Sequence, residues 1–348
     1  MKTISIFLIW IILLACSSIT ILNIGIFHQN GGLFFSRIDN IWPIFNFFTQ
    51  WDGGNYYAIS QNGYIHPYLF AYFPLYPGLI SILSNVFHPI VTGLVISFIS
   101  TLIFLYFYSR IIKSFYPQLT KNYVLAILSF PSAFILVCFY PESLFLAITA
   151  ISSYLFFAKK EYFPAVVFAS LASITRAQGI VFLMLLIFFV FRIKVQILHK
   201  IFLILISIIP LGIYLIIQKI YYGSFIAFIQ AQIFWKRFSM PEFKLQLDYL
   251  GIVALINLVF FIFAVVLLIL NYKKLKKFDL LFFVLAFLLP ISTGSLESVP
   301  RYLLSAYPFF VLLSFFNLNP LAQKITIPLF ILLQAVFFTL FVSGNWIF

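Results

Sequence analysis

The chain has 348 residues, of which 64% are hydrophobic and only 8% charged, and its mean hydropathy is +1.12. Such a composition, with apolar runs of about 20 residues recurring from end to end, excludes a soluble domain and predicts an all-α polytopic membrane protein. A formal charge of +13 would suit nucleic acid if gathered on one face; here the basic residues are scattered between apolar runs, which points to membrane topology and to no nucleic-acid partner.

The first element is ambiguous, because Lys2 and the apolar run up to Leu13-Leu14-Ala15-Cys16 resemble a lipoprotein signal with its lipid-accepting cysteine. Apolar character continues through Ile19, Ile21, Leu22, Ile24 and Ile26, so a first span is the preferred reading. Further spans are predicted near 89–109, 122–139, 142–158, 162–175, 178–191, 201–221, 250–270, 278–292, 302–317 and 325–343, after a first at 3–27. Long loops fall at 28–88 and 223–249, both on the same side. Cys138, the only other cysteine, lies in an apolar run, and the pair offers neither a disulfide framework nor a metal-ligand spacing. His28, His66, His88 and His199 are scattered through loops and receive no metal role.

With the N-terminus inside, one side receives Lys2, Arg110, Lys113, Lys121, Lys159, Lys160, Arg192, Lys194, Lys200, Lys273, Lys274, Lys276, Lys277 and Lys324, fourteen of the 21 basic residues. That side is cytoplasmic by the positive-inside rule. Counting 73–86 as a span would export these clusters, so the segment is predicted to be re-entrant or interfacial. Glu161 and Asp279 then lie inside, while Asp39, Asp52, Glu142, Glu242, Asp248 and Glu297 fall outside, with Arg176 and Arg301 at span ends. Carboxylates and arginines at the membrane edge are costly unless paired or used, so a functional site is expected on the outer face. No repeat relates the two halves of the chain, which argues against a transporter.

The first outer loop holds the stretch QWDGGNYYAISQNGY, from Gln50 to Tyr64. Tyr56, Ile59, Ser60 and Gly63 repeat at helical spacing, and predict a short interfacial helix stopped by Gly63. Asp52 at its start is read in two ways: as the helix N-cap, which the local sequence favours, or as a general base poised by partial burial. Gly53 and Gly54 leave room beside that carboxylate for a hydroxyl or a close backbone.

Trp51-Asp52 followed by Tyr56, Ile59-Ser60 and Gly63-Tyr64, and then Phe73-Pro74-Leu75-Tyr76-Pro77, resembles the PIG-V family of mannosyltransferases. Tyr140-Pro141-Glu142-Ser143 looks like the acidic motif of that family, Thr175-Arg176 with Gly179 like its threonine-arginine-proline-glycine motif, and Pro300-Arg301-Tyr302 like its late proline-arginine-tyrosine motif. Order and spacing agree from about Trp51 to Tyr302, although Ala177 replaces the usual proline and Pro141 follows its tyrosine instead of preceding it. The resemblance implies a GT-C-like bundle of roughly 10–12 transmembrane helices in one domain over 1–348, with short interfacial helices in the first outer loop. It implies transfer of a sugar, mannose being the expected one, from a polyprenyl-phosphate donor to a hydroxyl of a glycan or lipid-linked acceptor at the extracytoplasmic face of the cell membrane. Membrane lipid is the remaining partner, and no cofactor or metal is called for.

On this reading Asp52 is the base, and Trp51, Tyr56, Glu142, Arg176, Arg301 and Tyr302 bind substrate. Arg301 is the first candidate for the leaving phosphate and Arg176 the second, through charge-assisted bonds. Each has a plainer alternative. The arginines can snorkel out of the bilayer, Glu142 can cap its helix or neutralise an arginine, and Glu297 can pair with Arg301 four residues on. Trp235, Lys236, Arg237 and Phe238 read as interfacial anchors first and as a cover over the site second. Another transferase of the same fold, or a polymerase using a diphosphate-linked oligosaccharide, would share the acidic outer loop; a transporter is the more remote alternative.

Overall fold

The structure, a computed structural model, describes residues 2–24, 45, 47–120, 123–235 and 249–345. Positions 28–44 and 236–248, in the two loops expected to be outer, with Asp39, Lys236, Arg237, Phe238, Glu242 and Asp248, lie outside the described residues.

Fifteen α-helices and no strand occur among the described residues, so the chain is an all-α polytopic membrane protein. In chain order the helices are α1 Lys2–Ile24, α2 Asp52–Asn62, α3 Leu75–Leu83, α4 Pro89–Phe115, α5 Tyr123–Leu128, α6 Glu142–Ser153, α7 Tyr162–Ser173 and α8 Ala177–Val190. They continue with α9 Ile197–Tyr222, α10 Ala227–Gln230, α11 Tyr249–Asn271, α12 Lys277–Ile291, α13 Val299–Leu304, α14 Tyr307–Phe316 and α15 Pro320–Val342. Six are long and apolar enough to cross a membrane: α1, α4, α6 with its continuation to Lys159, α9, α11 and α15. Helix α6 is the most enclosed, with 61% of its span buried against 22% for α9, which marks the centre and the lipid-facing periphery of the bundle. The predicted spans at 162–175, 178–191, 278–292 and 302–317 form the shorter helices α7, α8, α12 and α14, of 12, 14, 15 and 10 residues.

Capping signals set several ends. Pro89 opens α4, where its missing N–H costs nothing, and the His88 ring accepts the Ile90 N–H. At α15, Pro320 follows Asn319, whose side chain accepts from Leu321 and Ala322. With no water to expel between helices, packing holds the bundle, and aromatic rings supply much of it: Phe130 touches Phe260, Phe309, Phe310 and Phe330 at 5.2–5.8 Å between centroids.

Two segments depart from a simple reading of hydropathy. The expected span at 122–139 is not one helix. Helix α5 stops at Leu128, ahead of Pro131, and the chain resumes only as a 3₁₀ turn at Ala133–Val137, most of it buried in the core. A proline cannot continue the ladder, and the freed carbonyls need donors that lipid cannot supply. Gln334 of α15 braces the break: its amide donates to Leu128 O at 3.0 Å and to Phe130 O at 2.8 Å, the latter also accepting the Ala133 N–H, while its own oxygen accepts from Trp10 Nε1 at 2.9 Å. Gln334→Leu should therefore destabilise the protein by about 1–3 kcal/mol, read as a lowered unfolding midpoint in detergent. The 73–86 segment holds only the nine-residue α3, about 14 Å long, too short to span. Ile82, Val86 and Phe87 nearby are 69%, 75% and 63% exposed, as suits an element lying in the interface.

Helices α4, α6 and α8 begin at one end of the bundle and run toward basic residues: Lys113 in α4, Lys159 beyond α6 and Arg192 just past α8. At that basic end the buried Asp279 accepts from the hydroxyls of Tyr116 and Tyr307, while the Lys276 N–H donates to Tyr116. This cluster ties α12 to the ends of α4 and α14.

Candidate functional site: a four-charge cluster at the helix starts

Short polar contacts assemble the other end. The Phe139 N–H donates to Phe48 O at 2.7 Å and the Tyr140 hydroxyl to Gln50 O at 2.8 Å, which docks the approach to α2 against the start of α6. Gly93 lets α4 close on the same place, since a Cβ there would lie 2.2 Å from the Phe139 ring. Leu75 N–H donates to Ile174 O at 3.0 Å, joining α3 to the turn before Arg176. At that turn Gly179 is obligatory for close packing of α7 and α8, because a Cβ would meet Ala172 O at 1.8 Å. The start of α13 is held from two sides: Asn257 in α11 accepts the Val299 N–H, and the Ser132 hydroxyl donates to Pro300 O, each at 2.9 Å.

These contacts bring Asp52, Glu142, Arg176 and Arg301 into one network. Arg301 donates through Nε to Glu142 Oε1 and through Nη1 to Asp52 Oδ2, and Arg176 donates through Nη1 to the same Glu142 oxygen. The Arg176 Nε also points to Gln178 Oε1 at 3.4 Å. The Arg301 guanidinium sits 4.8 Å from the centroid of the Tyr140 ring, a cation–π contact. Two carboxylates and two guanidiniums cancel, so the cluster carries no net charge to desolvate uncompensated. Relative side-chain exposure orders its members: Glu142 0%, Arg176 8%, Arg301 10% and Asp52 18%. Asp52 is thus the member that a ligand can reach most directly.

The N-cap reading of Asp52 is corrected. Trp51 occupies the cap position, Asp52 is the first helical residue, and no side chain caps α2. The carboxylate turns inward instead, its second oxygen accepting from the Tyr72 hydroxyl at 2.9 Å. Tyr72 in turn accepts from Asn55 Nδ2 at 2.8 Å. Burial, with the Asp52 charge beside it, pushes the Tyr72 phenol well above its usual range, and burial does the same to Tyr56, so both remain neutral hydroxyls at ordinary pH. Tyr56 lies under the cluster, near enough to feel all four charges. Trp51 and Tyr302 are half-buried, Trp51 packing on the main core.

Other expectations change as well. Arg176 and Arg301 are 7% and 8% exposed and do not snorkel. Glu142 caps nothing; it neutralises both arginines. Glu297 is exposed and makes no pair with Arg301, because Ser298 at φ +67° breaks the helical register between them. Gly53 faces no open space, since a Cβ there would already be in ordinary contact with Phe139 O at 3.5 Å.

Among the described residues, three besides glycine have positive φ, and two of them introduce the helices that deliver the cluster: Trp51 (φ +58°) before Asp52 and Ser298 before the turn carrying Arg301. Such backbone costs about 1–3 kcal/mol each and persists where the surroundings enforce it, a pattern found at functional sites.

Tyr72, Asn55 and Asn257 were not singled out from the sequence, and Tyr140 was named there only as part of the acidic motif. Only Asn257, a polar amide in an otherwise apolar span, and Asn55, one turn from Asp52, carried a signal that could have found them. Fold and site together define a multi-pass helical membrane protein with a buried, charge-balanced polar cluster at one end of its helices. Comparison with protein families, with curated proteins and with solved structures finds no match, so the reading of the site rests on its geometry.

Proposed function

We propose that the protein is an inverting glycosyltransferase that moves a sugar, mannose first among the candidates, from a polyprenyl-phosphate donor to an acceptor hydroxyl at the extracytoplasmic face of the cell membrane. One observation carries the reading: residues 52, 142, 176 and 301, drawn from four separate motifs, meet with a reachable carboxylate against a guanidinium. A base and a phosphate ligand are the two groups that this reaction requires.

In the transfer, Asp52 takes the proton of the acceptor hydroxyl as its oxygen attacks the anomeric carbon. The bond from that carbon to the phosphate oxygen breaks, its electron pair leaves on the polyprenyl phosphate, and the proton later passes from Asp52 to water. Arg301 uses two of its five N–H donors on the carboxylates. The others remain for phosphate oxygens, and Arg176 reinforces the positive side. A phosphate drawn to Arg301 also competes with Asp52 for it, which releases Oδ2 to act as base while Tyr72 keeps hold of Oδ1. Donor binding thereby readies the base.

The direct test is incubation of the purified protein with defined polyprenyl-phosphate sugars, scoring donor consumption. Consumption of a diphosphate-linked oligosaccharide in their place would move the reading to a polymerase, and consumption of neither would end the transferase proposal. Arg301→Lys should lose about 10-fold or more in transfer, because an ammonium cannot bridge Glu142, Asp52 and a phosphate as the planar fork does. Near-normal turnover in a folded Arg301→Lys protein would remove Arg301 from phosphate binding. For orientation, single cysteines near Asp52 and beside Pro300, in a background lacking Cys16 and Cys138, should react with an impermeant reagent from outside intact cells. Those near Lys159 or Lys276 should be protected, and the reverse pattern would place the cluster on the cytoplasmic side.

A further inference from the structure

We infer that Asn55 is a sugar-reading residue, whose side-chain oxygen accepts a hydrogen bond from one ring hydroxyl of the donor. The inference rests on the transferase reading above and adds a specificity contact to it. Asn55 is three residues after Asp52 on α2, hence on the same helical face, and is 2% exposed. The orientation of its amide follows from the protons available. Tyr72 has one hydroxyl proton, and it goes to the Asp52 carboxylate, which has none to give. Tyr72 can therefore only accept from Asn55, so the amide must present its NH₂ there at 2.8 Å and its oxygen elsewhere. That oxygen is buried and takes no hydrogen bond from any of the described residues. Glu142 Oε2 is a second buried acceptor in the same condition, belonging to the cluster itself.

Buried acceptors without donors are rare, and their alignment with a charged site has a chemical meaning. The four charges already balance, so the site calls for no further charge and a neutral O–H is a donor that fits. The spare N–H groups of Arg301 call for acceptors on the same ligand. A sugar phosphate offers both: phosphate oxygens for the arginine and ring hydroxyls for the amide oxygen. Recognition by a buried acceptor is selective, because a ligand lacking the hydroxyl leaves that acceptor unpaired.

The experiment titrates detergent-solubilised full-length protein with polyprenyl-phosphate mannose and its monodeoxy analogues, one for each ring hydroxyl, and measures Kd for each. Wild type should bind one analogue about 10-fold more weakly than the parent, the loss of a single hydrogen bond. Asn55→Ala should bind the parent more weakly by a similar factor and be indifferent to that one deletion, while keeping its response to the others. Asn55→Ser serves the same purpose if the alanine variant does not fold. Tyr72→Phe should retain the wild-type analogue pattern even as its transfer rate falls, which separates reading the sugar from holding Asp52. An Asn55 variant with the full wild-type pattern, or a wild type indifferent to every deletion, overturns this inference alone. A wild type that binds no such donor overturns both the inference and the transferase reading.

Discussion

Asp52→Asn is expected to reduce sugar transfer by about 100-fold or more, because an amide cannot accept the acceptor's proton at neutral pH. The structure sharpens the expectation for stability. Asparagine can still accept from Tyr72 through its oxygen and preserves the shape of the site, but Arg301 loses one of its two carboxylate partners. Because the Asp52 side chain is partly exposed and Glu142 stays bonded to Arg301, the destabilisation should be modest, about 1 kcal/mol. Asp52→Ala also removes the Tyr72 contact and should be the less stable of the two. Both are compared by donor consumption and by unfolding midpoint in detergent. An asparagine variant that transfers at close to the normal rate would sink the base assignment, and Asp52 would then be the counter-ion of Arg301 and nothing more.

Glu142→Gln is expected to give the largest loss of stability, about 3–5 kcal/mol. The glutamate side chain is fully buried and its Oε1 accepts from both guanidiniums, so the neutral amide leaves two buried cations facing the single carboxylate of Asp52, which reaches only Arg301. The amide oxygen can still stand at the Oε1 position with its NH₂ at the unbonded Oε2 position, so the loss is one of charge rather than of hydrogen-bond geometry. The unfolding midpoint of the purified variant measures the effect. Glu142→Asp, which keeps the charge on a shorter stem, should recover part of it. A glutamine variant as stable as wild type would show that the arginines have solvent or lipid phosphate at hand, and the cluster would no longer count as a buried, charge-balanced unit.

The difference between these two carboxylates could not be read from the sequence. Both stand at the start of a helix, and the local pattern offered each the role of a cap. Their burial and partners come from residues as distant as Arg301, 249 positions from Asp52. The same holds at Pro131: a run as apolar as its neighbours is a broken helix because a proline interrupts it and because Gln334, some 200 residues on, braces the break.

What the sequence determined by itself was the class of the protein and some of its helix starts. The class follows from composition, since a chain this apolar must satisfy its backbone bonds internally in lipid and can do so as helices. The starts at Pro89 and Glu142 were legible because a proline at or just before each apolar run marks them, whereas the last helix begins at Pro320, ahead of the expected 325. The tertiary structure alone decided which charges pair, which way the Asn55 amide turns, and that Gly93 and Gly179 serve close packing. A hydrogen bond or a salt bridge acts over a few ångströms in space and carries no mark of its partner along the chain. Helical periodicity and caps act over a few residues, and that is why the first were hidden in the sequence and the second were not.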